Sequence, residues 1–288
     1  MYRQIVTHNR RAAILILADC SLSMLQPNYI GALNRSKMEV VEITCNMMID
    51  ELVERATRHG FVRNYYDIAV IGYSHDEVRS LLPGDSEGFV PVNKLVDMAP
   101  MPKTTTVHNI PFPDGIRDIN ITYRPWIEPR AGGATPMCEA LAYAYSLVDA
   151  WCRDLDNRDC FPPIVINITD GVGNDSNTAA LMDISERITK TNTTDGNTLF
   201  FNVLLTSNPI DQRVALPHRS KYRSTNRDAM TLFKMSSLIP KCLEGEMAYL
   251  MELNHRGPYR GFMMDFAPVD LMSLLNSGTE SRHRIRQM

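Results

Sequence analysis

The chain has 288 residues, 44% of them hydrophobic and 22% charged, proportions of a folded globular protein that exclude a disordered or fibrous one. A formal net charge of -3 and a pI near 6.2 exclude a general electrostatic affinity for nucleic acid or anionic membrane. Residues 1–11 contain no signal-peptide core and no apolar run approaches the roughly 20 residues a bilayer needs, so a cytoplasmic location is expected.

The first apolar run, Ala13-Ile14-Leu15-Ile16-Leu17-Ala18, is unbroken and rich in branched residues, which predicts a strand buried on both faces, as in a parallel sheet. Asp19-Cys20-Ser21-Leu22-Ser23 follows directly, so a carboxylate and two hydroxyls stand at that strand's carboxyl end, where ligands bind in open α/β sheets. Hard oxygens at this spacing suit Mg²⁺ or Mn²⁺. Asp and Ser are also common turn and cap formers, because their side chains satisfy free backbone N–H groups. Cys20 alternates with its neighbours and is expected to face the core. With Cys45, Cys138, Cys152, Cys160 and Cys242 it shows no zinc-knuckle spacing, and all six are expected to be reduced.

Ser36-Lys37-Met38-Glu39 has capping-box spacing. Met38, Val41, Cys45, Met48, Ile49, Leu52 and Ala56 then recur at helical intervals until Gly60, predicting a long core-facing helix. Residues 66–73 read as the next strand. Its end, Gly72-Tyr73-Ser74-His75-Asp76, approaches the G-x-S-x-G nucleophile elbow but carries Asp76 where the turn needs a small residue, so no serine hydrolase is expected. Residues 77–130 are broken by prolines and hold too few apolar residues for a core of their own. They are expected to form an irregular surface excursion with a hairpin, with short strands over 78–82 and 119–123.

Ala131-Gly132-Gly133-Ala134-Thr135-Pro136-Met137 leads into a helix expected to reach about residue 154, with Met137, Leu141, Tyr145, Val148 and Cys152 on one face. The glycines permit close approach and positive φ, and Pro136 suits the first helical position. Thr135 reads as the N-cap, and the same placement suits its hydroxyl to coordinating a cation. Residues 163–169 form another strand, ending at Asp170-Gly171; Asp-Gly is also an ordinary turn pair. Ser176 stands where a dinucleotide fingerprint needs its third glycine. A helix over 178–190, a strand over 199–205, a solvated basic loop over 218–223, helices over 228–239 and 244–254, a strand over 259–265, a helix over 269–276 and a disordered tail from 278 complete the expectation. The alternation predicts a doubly wound α/β fold, a mostly parallel central sheet flanked by helices, as a single domain over 1–288 with its core over about 10–277.

Asp19, Ser21 and Ser23, then Thr135, then Asp170 spell D-x-S-x-S, T and D on loops that a parallel sheet brings to one edge. This combination resembles the metal-ion-dependent adhesion site of the von Willebrand factor A (VWA) domain family. Leu22 departs from it, standing where many members have glycine, and the segment before Thr135 is longer than usual. The spelling from Gly132 to Met137 is similar to stand-alone cytosolic bacterial members, including tellurite-resistance-associated VWA proteins. The resemblance implies a Rossmann-like VWA fold, Mg²⁺ (or Mn²⁺) held by those five residues, and a protein partner whose Asp or Glu takes the open coordination position. It implies no catalysis, and the net charge speaks against a nucleic-acid or membrane partner. Mg²⁺ prefers six oxygens, some from water, and neutral hydroxyls leave it electrophilic enough to want another anion. The alternative is a metal-assisted hydrolase or phosphotransferase using the ion as a Lewis acid. No His, Lys or second carboxylate pair is identifiable as its base; Glu139 and Asp175 are the acidic neighbours in sequence, and Ser21 stands where a haloacid-dehalogenase-like phosphatase would want a second aspartate.

Overall fold

A computed structural model describes residues 1–28, 35–75, 77–84, 87–112, 115–173, 177–207 and 213–265. In chain order the main elements are β1 (Ala12–Asp19), α1 (Lys37–Ala56), β2 (Tyr66–Ser74), β3 (Glu77–Ser80), β4 (Val90–Pro91), α2 (Val92–Leu95), β5 (Lys103–Phe112), β6 (Gly115–Tyr123), α3 (Met137–Arg153), β7 (Phe161–Thr169), α4 (Thr178–Lys190), β8 (Leu199–Leu204), β9 (Val214–Ala215), α5 (Arg227–Met235), α6 (Lys241–Leu250) and β10 (Phe262–Met264).

Every residue of β1 and β7 is buried, which is why their sequences are mainly apolar without alternation, broken only by Asp19, Asn167 and Thr169. β1 lies between β7 and β2 and is parallel to both, with Ala18 opposite Ile168 and Asp19 opposite Tyr73. The sheet runs β9-β10-β8-β7-β1-β2-β3, and β4 also pairs with β2. β10, β8, β7, β1 and β2 are mutually parallel, while β9, β3 and β4 are antiparallel at the edges. The molecule is thus a mixed α/β fold with a mostly parallel central sheet flanked by helices. Successive β1 residues serve opposite layers: Ile14, Ile16 and Ala18 pack with Met38, Val41, Cys45 and Met48 of α1, and Leu15 and Leu17 pack with residues of α3, α4 and α5. The β1 carboxyl end therefore emerges with helices on both sides.

α1 starts as its capping box predicts, with the Ser36 hydroxyl accepting from the Glu39 N–H and the Glu39 carboxylate accepting from the Ser36 N–H. It stops at Ala56, short of Gly60, because a ribbon pairing Thr57–Arg58 with Phe61–Val62 follows and Gly60 supplies its turn at φ +81°. After β2 the chain folds back as β3, with Ser74 opposite Glu77, so a strand stands where an elbow would need a helix. The hairpin of β5 and β6 is longer than the short strand expected over 119–123. As a two-stranded ribbon it presents two edges, where proline is tolerated, and Pro111 sits opposite Ile116. Pro240 precedes α6, which starts at Lys241 rather than at 244 and ends at Leu250. α5 ends at Met235, where Ser236 turns its hydroxyl back onto the Leu232 carbonyl at 2.7 Å, and β10 occupies only the middle of the expected strand. The helix expected over 269–276 and the tail from 278 lie outside the described residues.

The excursion returns to the core over α1. Val90, Val92, Leu95, Trp126 and Ile127 pack into the α1 layer. Asn46 and Asp50, one turn apart, clamp its last residues: the Asn46 amide donates to the Ile127 carbonyl at 3.1 Å and accepts from the Ile127 N–H at 2.9 Å, and Asp50 accepts from the Arg124 N–H and the Trp126 indole at 2.8 and 2.9 Å. Asn46→Ala leaves two buried backbone groups unpaired and should cost about 2–4 kcal/mol. Glu51→Ala, which breaks only a helix-surface pair with Arg55, should cost no more than about 0.5 kcal/mol. Urea unfolding midpoints at unchanged slope check both, and equal costs would show that the clamp contributes nothing.

Candidate metal centre

Asp19 ends β1 and is completely buried. Its Oδ1 accepts from the Ser21 N–H at 2.9 Å and its Oδ2 from the Thr169 hydroxyl at 2.7 Å. The Ser21 and Ser23 hydroxyls lie 3.0 Å apart, and Ser23 donates to Asp170 Oδ1 at 2.9 Å. Asp19, Ser21, Ser23 and Asp170 are therefore brought into one continuous group of oxygens at the carboxyl ends of β1 and β7.

The glycine loop is laced to this group by its backbone. The Gly132 N–H donates to the Cys20 carbonyl at 2.8 Å, the Leu22 N–H to the Gly133 carbonyl at 3.1 Å, and the His75 N–H to the Ala134 carbonyl at 2.8 Å. Gly133 has φ +50°, and a Cβ there would stand 2.5 Å from the Cβ of His75, so both its handedness and its closeness require glycine. Thr135 follows on the same loop, but it does not cap α3. Pro136 occupies the cap position, one residue later than expected, with no side-chain bond. The Met137 N–H goes instead to the Thr135 carbonyl at 2.9 Å, and among the described residues the Thr135 hydroxyl makes no hydrogen bond.

Three further groups belong to the site and were not singled out in the sequence. Thr169, the last residue of β7, fixes Asp19. Beneath it, a buried polar ladder crosses the sheet: the Tyr73 hydroxyl donates to Asn167 at 2.8 Å, the Asn167 amide to Asn202 at 3.0 Å, and the Asn202 amide to the Ser236 hydroxyl at 3.0 Å. The third is Lys37, whose Nζ lies 2.7 Å from Asp170 Oδ2, the two side chains being 4% and 8% exposed. A lysine does therefore stand beside the motif, contrary to the sequence reading. The available signal was its position: as the first residue of α1 it is a cation where the helix dipole disfavours one. Glu139 is exposed, and Asp175 lies outside the described residues.

Burial pushes the Asp19 carboxyl up to about 6, against the lowering effect of its Thr169 and Ser21 donors and with a smaller push from the charge of Asp170. Burial likewise holds the Tyr73 hydroxyl well above its ordinary range. Among the described residues no three or more His, Cys, Asp or Glu side chains are grouped to hold a metal, so an ion here would rely on two carboxylates supplemented by hydroxyls. That set is entirely oxygen and includes a buried carboxylate with hydrogen-bond donors but no cationic partner; Thr135 is tied to it only through the backbone of its loop. These features fit a small hard cation.

No protein-family model and no curated protein matches the chain. Among solved structures, the chain is similar to a von Willebrand factor type A protein from Catenulispora acidiphila, at 15% identity and TM-score 0.36 over 68% of this chain and 32% of that one. It is also similar to the PilB minor pilin from Streptococcus sanguinis, at 12% identity and TM-score 0.38 over 68% of this chain and 50% of that one. The vWF domain of the type V pili tip protein Mfa5 from Porphyromonas gingivalis gives 12% and 0.32 over 59% and 43%. The chain thus spans between a third and a half of the length of these structures. No helix among the described residues is long and apolar enough to cross a membrane.

The loop geometry yields a paired expectation. Gly133→Ala should lower stability by about 1–3 kcal/mol through strain and collision with His75. Gly132→Ala, whose Cβ would find nothing nearer than 3.8 Å, should change it by less than about 1 kcal/mol. Chemical unfolding of the two variants decides, and equal effects would refute the close approach at Gly133.

Proposed function

We propose that this chain is a non-enzymatic, VWA-type protein-binding module in which Asp19, Ser21, Ser23, Thr135 and Asp170 hold Mg²⁺ or Mn²⁺. An Asp or Glu side chain of a protein partner completes the ion's coordination. The observation that carries this reading is the unbroken oxygen group from Asp19 through Ser21 and Ser23 to Asp170, with the Thr135 loop laced against it. When bound, the ion supplies positive charge to an incoming carboxylate; the protein's residues hold that charge at the sheet edge and shape what approaches it.

The surroundings support a macromolecular partner. Leu22 and Leu25, each 56% exposed, stand beside the serines as apolar contact points on an otherwise polar rim. A groove of about 490 Å³ runs along Gly132 and Gly133 and carries Arg130 and an Arg79 that pairs with Glu77 at 3.1 Å, which leaves a net positive charge for an acidic segment. A larger cavity of about 790 Å³ lies at the other end of β8, around Asn197, Thr198 and Leu199, away from the oxygen group. Lys37 is already engaged with Asp170 and is not a free base, which favours binding over hydrolysis or phosphoryl transfer. The Gly132 to Met137 spelling supports the stand-alone bacterial likeness, and six free thiols suit the reducing cytoplasm.

Calorimetry with Mn²⁺ should show binding by the wild type and none by Asp19→Ala, and equal affinity would overturn the assignment. Thr135→Ala should weaken Mn²⁺ binding while changing stability by less than about 0.5 kcal/mol, because no helix cap is lost. Chelation should release a partner captured from native extract, and should have little left to remove in Thr135→Ala, since both changes act on one interaction. Turnover of a phosphate or acyl ester that depends on Asp19 would establish the hydrolase instead.

Charge on the rim should act mainly on encounter. Arg79→Ala with Arg130→Ala should slow partner association and flatten its salt dependence while leaving dissociation nearly unchanged. Surface-bound kinetics at two salt concentrations would measure this; an effect confined to dissociation would place both arginines inside the contact.

A further inference from the structure

We infer that Lys37 is a tethered cation of this site: its ammonium balances Asp170 in the metal-free protein and competes with a divalent ion for that carboxylate. The inference rests on the metal reading above. Lys37 is 3% exposed, and lysine is almost never this buried unless paired. It also stands at the first position of α1, where the exposed N–H groups make the helix end positive. Desolvation and the helix dipole both oppose a charge there. A lysine at a helix start has an easy alternative, which is to extend into water. Lys37 instead reaches a residue 133 positions away in sequence and closes to 2.7 Å.

The two carboxylates of the site are consequently unequal. Asp170 has both oxygens engaged, one by Ser23 and the other by Lys37. Asp19 has two hydrogen-bond donors but no cation. An arriving ion meets one uncompensated carboxylate and one already neutralised, and its own charge repels the ammonium. Lys37 thereby lowers the affinity for the ion while keeping the empty site from carrying two unbalanced negative charges. Because Lys37 opens α1 and its N–H bonds the Gln26 carbonyl at 3.1 Å, loading the site also bears on the start of that helix.

The test compares wild type, Lys37→Met and Lys37→Gln by Mn²⁺ calorimetry and by thermal unfolding in chelator and in excess Mn²⁺. Methionine keeps most of the volume without the charge; glutamine keeps a hydrogen-bond donor and serves if the methionine variant does not fold. The neutral variants should bind Mn²⁺ at least about tenfold more tightly than wild type, since the neighbouring charge is gone. They should also melt below wild type in chelator and recover more than wild type does when Mn²⁺ is added. Wild type and variants binding Mn²⁺ with equal affinity, or the variants more weakly, would overturn the role of Lys37 and leave the metal site standing. Binding by the variants alone would support it. No binding by any of them would overturn both.

Discussion

The constraint on which the site depends is the complete burial of Asp19 at the end of a central strand. β1 has parallel neighbours on both edges and helices over both faces, so nothing at its carboxyl end reaches water unaided. A carboxylate in that position must be held by donors or matched by charge. The backbone of Ser21 and the hydroxyl of Thr169 provide the donors, and neither brings a positive charge. The loop after β1 is therefore committed to curling back over its own aspartate. That curl is what turns Ser21 and Ser23 toward Asp170.

The supports of this arrangement extend well below it. Tyr73, Asn167 and Asn202 come from three strands and join into one ladder that ends on Ser236 at the close of α5. Each member would be costly to bury alone, and as a satisfied network they fix the register of β2, β7 and β8 beneath the oxygen group. Thr169 is two residues beyond Asn167 on the same strand, so it shares that face. The backbone lacing of Gly132 to Cys20 and of Leu22 to Gly133 does the corresponding task from above. Position is set from two sides, and the side chains that face the opening need little freedom.

Much of this was readable in the sequence where a single local rule decided the outcome. The unbroken apolar run of β1 follows from two-sided burial, and the Ser36 to Glu39 spacing located the start of α1. α4 spans Thr178–Lys190 as expected, with Asn177 capping it. Reading failed where a contact joined distant residues. Lys37 in isolation looks like an ordinary solvated residue, and only the fold brings it to Asp170. Asn167 and Asn202 interrupt apolar runs without any local pattern that would link them. The N-cap role of Thr135 fails differently: Pro136 intervenes and the Thr135 carbonyl takes the Met137 N–H, so among the described residues the hydroxyl makes no hydrogen bond, and its other expected role, toward a cation, is untouched by this.

That last difference bears on how the proposed site would choose its ligand. Asp19 and Asp170 carry two negative charges and Lys37 one positive charge, which leaves a deficit of one. A divalent ion adds two and turns that deficit into an excess of one positive charge, with the serine and threonine hydroxyls contributing none. Without Lys37 the loaded site would be neutral and would gain less from another carboxylate. With it, an anion is the ligand that restores balance, and in the low-dielectric surroundings of Asp19 an uncompensated charge is felt more strongly than in water. On the proposed reading, the lysine that would weaken the hold on the ion would also be the group that makes the loaded site seek an acidic partner, so metal affinity and partner affinity would be set against each other through one side chain.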